Sequence, residues 1–67
     1  MTRKFGQVRK ALTASGWVKI RQEGSHEVYL HASRSGIVVV AGKNSETVPP
    51  GTLSNILKQS GLTREDL

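Results

Sequence analysis

The sequence predicts an α+β fold in the order α-β-β-β-α, in which two helices pack on one face of a three-stranded antiparallel sheet. Segments with the apolar spacing of amphipathic helices lie near the two ends of the chain, and three short runs with strand patterning lie between them. The linkers between these runs, EGS and ASRSG, have the composition of hairpin turns. Two helical stripes are buried most simply when both helices cover the same sheet face, so we expect the other face to be open.

The first helix is predicted over roughly residues 2–14. Its apolar positions follow the spacing of one helical face: Phe5, Val8, Ala11 and Leu12. Thr2 is suited to capping the start of the helix, and Gly16 is suited to ending it. Basic residues occupy the remaining surface: Arg3, Lys4, Arg9 and Lys10. The helix is therefore expected to bury its apolar stripe and to present positive charge to solvent.

Three runs alternate or are rich in β-branched residues, and they are predicted to form strands at residues 17–22, 26–31 and 36–40. Alternation assigns four apolar residues of the first two strands to the core: Val18, Ile20, Val28 and Leu30. Directly opposed residues share a face, so this assignment requires a register such as Ile20 opposite His26. That register needs an odd-length loop or a bulge, and a three-residue loop with its glycine at Gly24 supplies it.

A polar and then proline-rich loop over residues 43–50 precedes the second helix. Pro50 is suited to the first turn of that helix. A second apolar stripe follows, formed by Leu53, Ile56 and Leu57. Gly61 is a suitable C-terminal cap, and Leu62 is placed for the hydrophobic contact that often accompanies such a cap.

The charge of the chain favours a polyanionic partner. The sequence has 10 Lys and Arg against 5 Asp and Glu, which gives a formal net charge of +5. All six basic residues of the first 22 positions precede the first acid, Glu23. Nucleic acid is the natural partner of such a surface, and an acidic protein fits the same charge.

Length and composition exclude several classes of protein. A sequence of 67 residues predicts a single domain over residues 1–67, too small to enclose a buried active-site cavity. The absence of cysteine excludes a disulfide framework and a thiolate metal site. No apolar run approaches the length of a membrane span, and MTRKFGQVRK lacks the apolar core of a signal peptide. We therefore expect a cytoplasmic protein whose functional residues lie on an open surface.

Three segments in a fixed order carry a resemblance to a known family. GW opens the first strand, RQEGSHEVY spans the first hairpin, and VPPGTLSNILKQSGL forms the second helix and its ends. In these segments the chain resembles the HicA family of small bacterial toxins, from the first helix through Leu62. The resemblance implies a double-stranded-RNA-binding-domain-like fold and a ribosome-independent mRNA endonuclease held inactive by a HicB-type antitoxin. It also places the catalytic histidine at His26, within Gly24-Ser25-His26, and implies no cofactor.

The sequence departs from the family pattern after the third strand. Many relatives carry a proline and a further histidine there, whereas AGKN stands at residues 41–44 of this chain. A second proton-transfer partner for His26 is therefore not identifiable from the sequence.

His26 suits acid–base catalysis of RNA cleavage, in which a 2′-hydroxyl attacks phosphorus and the 5′-oxygen leaves. Imidazole has an unperturbed pKa of about 6.5 and exchanges a proton near neutral pH. Cations stabilise the charge that develops on phosphate, and glycine permits close backbone approach. The candidates for RNA and phosphate binding are Lys19, Arg21, Gly24, Ser25, Lys43, Arg9 and Lys10.

A structural role for His26 competes with the catalytic one. Alternation gives His26 the same face as Val28 and Leu30, which the pattern assigns to the core. A bulge at the hairpin would instead turn its ring outward. The second histidine, His31, lies about 16 Å away along the strand and is interpreted as a strand-end residue. No carboxylate has ligand spacing to either histidine, so no metal site is expected. Trp17 is interpreted as a core residue.

Two other functions remain open at this point. A non-catalytic RNA-binding module uses the same fold and basic surface, and a pure interaction protein uses the charge to bind an acidic partner. The run at residues 37–40 is apolar on both faces, while helices are expected to cover only one. We predict that part of this run contacts the antitoxin, and the alternative is a loop folded over it.

Overall fold

A computed structural model describes residues 3–67 and has the predicted α-β-β-β-α order. The elements are α1 (Phe5–Ala14), β1 (Trp17–Glu23), β2 (His26–His31), β3 (Arg34–Ala41) and α2 (Pro50–Ser60), followed by a short 3₁₀ turn (Arg64–Asp66). The three strands form one antiparallel sheet in the order β1-β2-β3. The predicted fold class is therefore confirmed. Within the described residues, neither helix has the length or the apolar character needed to cross a membrane.

Helix α1 begins later than the sequence predicted. Lys4 is its N-cap, and the backbone N–H of Lys4 donates to Oε1 of Gln7 at 2.7 Å. Lys4 also forms an isolated β-bridge with Thr47, so Lys4 is extended rather than helical. The predicted cap, Thr2, lies outside the described residues.

The ends of the helices otherwise follow the predicted signals. After α1 the chain turns at Gly16, which has a φ of 95°, a conformation that favours glycine. Pro50 occupies the first turn of α2, and Gly61 ends that helix with a φ of 75°. Leu62 packs against the core cluster, as expected for the contact after a glycine cap.

The β1–β2 hairpin has a different register from the predicted one. Glu23 lies opposite His26, so the loop holds only Gly24 and Ser25. Gly24 has a φ of 61°, whereas Ser25, like every other non-glycine residue in 3–67, has no positive φ. This is the pattern of the two-residue hairpin turns that carry glycine at their first position. The predicted pairing of Ile20 with His26 across a three-residue loop is wrong. A bulge between Lys19 and Arg21 changes the register further along the strand.

The core lies between the helices and one face of the sheet. Its cluster combines residues of both helices, the sheet and the loop before α2: Phe5, Val8, Leu12, Trp17, Tyr29, Val38, Val40, Val48, Leu53 and Ile56. This confirms that both helices cover a single face and that Trp17 is a core residue. The other face is open.

The assignment of the two sheet faces from alternation is wrong. Val18, Ile20 and Leu30 were expected in the core but are at least 40% exposed, and Val28 is buried outside the core cluster. Trp17 and Tyr29 occupy the helix-covered face instead. The covered face carries two aromatic rings, each of which buries about 150–250 Å², together with the fully buried Val38 and Val40. Burial of this face therefore outweighs the alternation of the aliphatic residues.

Candidate active site on the open sheet face

His26 is the first residue of β2 and lies on the open face of the sheet. Its side chain is exposed, and none of the hydrogen bonds between residues 3–67 uses its ring. On the two neighbouring strands it lies opposite Glu23 and Ala41. Alternation does place His26 with Val28 and Leu30, as predicted, but that face is the open one. The imidazole is therefore accessible to a ligand from solvent.

The bulge in β1 brings two charged side chains to the same face. Before the bulge, Val18 lies opposite Leu30; after it, Arg21 lies opposite Val28 and Glu23 lies opposite His26. Opposed residues share a face, so Arg21 and Glu23 lie on the same face as Val18. Without the bulge, strict alternation would put them on the other face. Nε of Arg21 lies 3.5 Å from Oε2 of Glu23, and both side chains are exposed. The open face thus carries a cation, a carboxylate and an imidazole at one end.

Five apolar side chains cover the rest of this face and its edges. They are between 37% and 62% exposed: Val18, Ile20, Leu30, Ile37 and Val39. Within residues 3–67 no loop folds over them, so the predicted alternative of a covering loop is wrong. The polar group at His26 therefore borders an exposed apolar surface.

A second group of predicted residues lies at a cleft of about 380 Å³ on the helix side of the hairpin. Ser25 and Lys43 line this cleft, together with Gln22, Glu27 and Glu46 among others. Lys19 lies opposite Tyr29 and so also belongs to the helix side, where its Nζ donates to Oε1 of Gln22 at 3.2 Å. The carbonyl oxygen of Gly24 accepts from Nε2 of Gln22 at 3.1 Å. The hairpin tip therefore separates this cleft from the open face.

Arg9 is held in a network beneath the hairpin. Its Nε donates to Oε1 of Glu27 at 2.9 Å, its Nη1 donates to Oδ1 of Asn44 at 2.7 Å, and its Nη2 donates to the carbonyl of Gly42. The hydroxyl of Tyr29 donates to the same Oε1 of Glu27 at 3.1 Å. Arg9 thus links α1, β2 and the loop after β3, with its three donor nitrogens engaged inside the chain.

This network shifts two pKa values in opposite directions. Burial raises the pKa of Glu27, but hydrogen bonds from Arg9 and Tyr29 and the positive charge of Arg9 and Lys19 outweigh it, so the net pKa lies below the ordinary value. Burial, and then the hydrogen bond and charge of Glu27, raise the pKa of Tyr29. Glu27 is therefore held ionised and Tyr29 neutral.

The remaining predicted residues lie elsewhere. Lys10 is exposed on α1 and lines a different cleft, beside Asp66 and Leu67. Nε2 of His31 donates to the carbonyl of Ser15 at 2.8 Å, and its Nδ1 accepts from the backbone N–H of Ser33 at 3.1 Å. The ring of His31 also meets Trp17 edge-on at 5.2 Å between centroids. His31 is a strand-end residue with a structural role, as the sequence indicated.

Glu23 is the residue of this site that the sequence analysis missed. A two-residue loop places its flanking residues directly opposite one another, so a two-residue hairpin at Gly24-Ser25 pairs Glu23 with His26. The three-residue loop predicted from the sequence does not give that pairing. Among residues 3–67, no three histidine or acidic side chains come together as a metal-binding group.

Comparison with known protein families places the chain. The family model described as the HicA toxin of bacterial toxin-antitoxin matches residues 5–62, nearly the whole chain. No individual curated protein gives a significant match. The matched range begins with α1 and ends after α2, so it includes every helix and strand that positions the site. The resemblance stated from the sequence is confirmed.

Proposed function

The chain belongs to the HicA toxin family of bacterial toxin–antitoxin systems, and on that premise we propose that it is a metal-independent endoribonuclease that cleaves mRNA in the cytoplasm. His26 is the proposed acid–base group. The observation that carries this proposal is the position of His26, exposed on the open face with Arg21 on the same face. An RNA strand can reach both side chains without any movement of the core.

The chemistry needs a proton carrier and a cation at the phosphate. Imidazole exchanges protons near neutral pH, and a guanidinium binds two phosphate oxygens at once. Arg21 is the better placed of the predicted cations, because Lys19 lies on the helix side and Arg9 has its donors engaged by Glu27, Asn44 and Gly42. Lys43 and Ser25 line the cleft beyond the hairpin tip, and we propose that they hold a neighbouring phosphate of the same strand.

A toxin of this family acts with an antitoxin, and we assign the HicB-type antitoxin to the open apolar face. The five exposed apolar side chains of that face border His26, so a protein bound there excludes RNA from the imidazole. The net charge of +5 favours an acidic partner. Hydrogen exchange tests this assignment: residues 36–41 and the neighbouring strand gain protection on addition of the antitoxin, and unchanged exchange in both would remove it.

Cleavage of a long single-stranded RNA tests the nuclease directly. Purified protein is incubated with the RNA in the presence and absence of EDTA, beside His26→Ala, and the ends of the products are analysed. We expect cutting that survives EDTA and leaves cyclic-phosphate or 3′-phosphate ends, because a 2′-hydroxyl nucleophile produces them. His26→Ala is expected to stay folded, since its side chain is exposed, and to lose about 100-fold or more in rate.

The same assay separates the proposal from a non-catalytic RNA-binding module. Salt-sensitive binding of RNA with no cutting by the wild type would support the binding module instead. Equal cutting by the wild type and His26→Ala would remove His26 from the mechanism. Growth arrest on expression, rescued by co-expression of the antitoxin, supports the toxin activity independently.

A further inference from the structure

We infer that Glu23 is the second proton-transfer residue, acting with His26 on one phosphate, an inference that rests on the nuclease activity proposed above. In this assignment the Glu23 carboxylate is the general base, the His26 imidazolium is the general acid, and Arg21 binds the phosphate between them. The sequence carries AGKN at residues 41–44 and offers no histidine there to share the proton transfers.

The hairpin geometry places the two groups together. Gly24 and Ser25 form the whole loop, so Glu23 and His26 are directly opposed on one face, where Cβ atoms lie about 4.5–5.5 Å apart. On its other side His26 faces Ala41, which is uncharged and small. A phosphate above the hairpin end therefore meets both the carboxylate and the imidazole.

Arg21 explains how the carboxylate is aimed. Its Nε lies 3.5 Å from Oε2 of Glu23, which leaves the two terminal nitrogens of the guanidinium for phosphate oxygens. Such an exposed pair contributes little to stability, so both side chains are able to rearrange around a ligand at little cost. The bulge before Arg21 is what puts this pair on the face of His26, and bulges commonly redirect side chains at active sites.

The proton transfers balance in the cleavage step. Glu23 takes the proton of the 2′-hydroxyl as that oxygen bonds to phosphorus. The bond from phosphorus to the 5′-oxygen breaks, and His26 gives its proton to that oxygen. The products are a 2′,3′-cyclic phosphate and a 5′-hydroxyl, and both residues return to their starting protonation by exchange with water.

Glu23→Gln, His26→Ala and the matched control Glu65→Gln, which changes an exposed glutamate far along the sequence, test the assignment. We expect Glu23→Gln to cleave about 100-fold more slowly and to lose the acidic limb of the pH–rate profile. The charged groups that face Glu23 are Arg21 and His26, and both remain in this variant. Glu65→Gln should cleave at the wild-type rate, and circular dichroism should show all three variants folded.

A substrate with sulfur in place of the leaving 5′-oxygen separates the two roles, because a thiolate leaves without a proton. On this substrate His26→Ala should regain most of its rate and Glu23→Gln should not. Rescue of Glu23→Gln instead, or wild-type cleavage by Glu23→Gln on the oxygen substrate, would overturn the role of Glu23 while His26 stands. No cleavage by the wild type would overturn the proposed nuclease together with this inference.

Discussion

Val38 and Val39 are neighbours on β3, yet Val38 is fully buried and Val39 keeps 37% of its surface exposed. The two faces of the whole sheet differ in burial in the same way. The helix-covered face buries Trp17 and Tyr29 against both helices, while the open face leaves five apolar side chains in contact with solvent. The two helices of this chain pack on only one side of the sheet. The uncovered side of the sheet is therefore available to ligands without loss of core contacts.

The charged groups of the two faces differ in the same way. On the covered side the donors of Arg9 are taken up by Glu27, Asn44 and Gly42. On the open side Arg21 makes one exposed ion pair with Glu23. A guanidinium that bonds through all three of its nitrogens holds the fold together. A guanidinium with two unbonded nitrogens is able to bind phosphate. We therefore expect substitutions on the covered face to change stability and those on the open face to change binding and cleavage.

The largest difference should come from two neighbours at the start of β1. Trp17→Ala removes a fully buried indole and should lower the free energy of unfolding by about 4 kcal/mol. Val18→Ala removes an exposed side chain on the open face and should cost less than about 0.5 kcal/mol. Urea denaturation measures both. Similar losses for the two variants would break the distinction between the faces.

Two arginines allow the same comparison for charge. Arg9→Met leaves Glu27 in a half-buried position without its main partner and should cost about 2 kcal/mol of stability. Arg21→Met removes one exposed ion pair, which is worth about 0–1 kcal/mol, and should instead slow RNA cleavage. The idea fails if Arg21→Met unfolds more readily than Arg9→Met, or if only Arg9→Met loses cleavage.

The apolar part of the open face should matter for the antitoxin rather than for folding. Val39→Asp introduces a charge on an exposed surface and should weaken antitoxin binding about tenfold or more, because the charge must be desolvated in the interface. Calorimetric titration measures the Kd, with Lys10→Ala on α1 as a control that should bind normally. Unchanged affinity of Val39→Asp would place the antitoxin on another surface.

The smallest expected effect concerns acid pH. The pKa of Glu27 is lower in the folded protein than its ordinary value of 4.5, because Arg9 and Tyr29 stabilise the carboxylate more than burial opposes it. Ionised Glu27 therefore contributes stability above pH 4.5, and this contribution is lost as the pH falls through the folded pKa. Stability should fall more steeply below pH 4.5 in the wild type than in Glu27→Gln. Parallel curves would show that the network adds no pH dependence.

Local signals in the sequence were enough to predict the element order and both ends of α2, but not the start of α1. Pro50 and Gly61 mark α2 because each has a fixed backbone preference that tertiary packing does not change. The sheet faces were not predictable from alternation, because β1 and β2 carry apolar residues on both sides. Which side is buried depends on how much area the helices cover, and that is decided by Trp17 and Tyr29 together with residues distant in sequence.

The site was predictable in part. The exposed position of His26 follows from the face that the helices leave open, but the sequence pattern alone placed it toward the core. The pairing of Glu23 with His26 depends on the length of the hairpin loop. The face on which Arg21 lies depends on a bulge at Ile20, and no glycine or proline marks that bulge in the sequence. A bulge of that kind arises from packing of the whole strand, so local composition does not reveal it.

The chain's two histidines provide the most direct test, because they lie at opposite ends of β2 and on opposite faces. RNA cleavage and thermal unfolding should be measured side by side for His26→Ala and His31→Ala. We predict that His26→Ala loses about 100-fold or more in cleavage and keeps its Tm. His31→Ala should keep the cleavage rate and lose about 1–2 kcal/mol of stability, because it removes the bonds to Ser15 and Ser33. Loss of cleavage in His31→Ala alone, or a fully active His26→Ala, would contradict the assignment of catalysis to the open face.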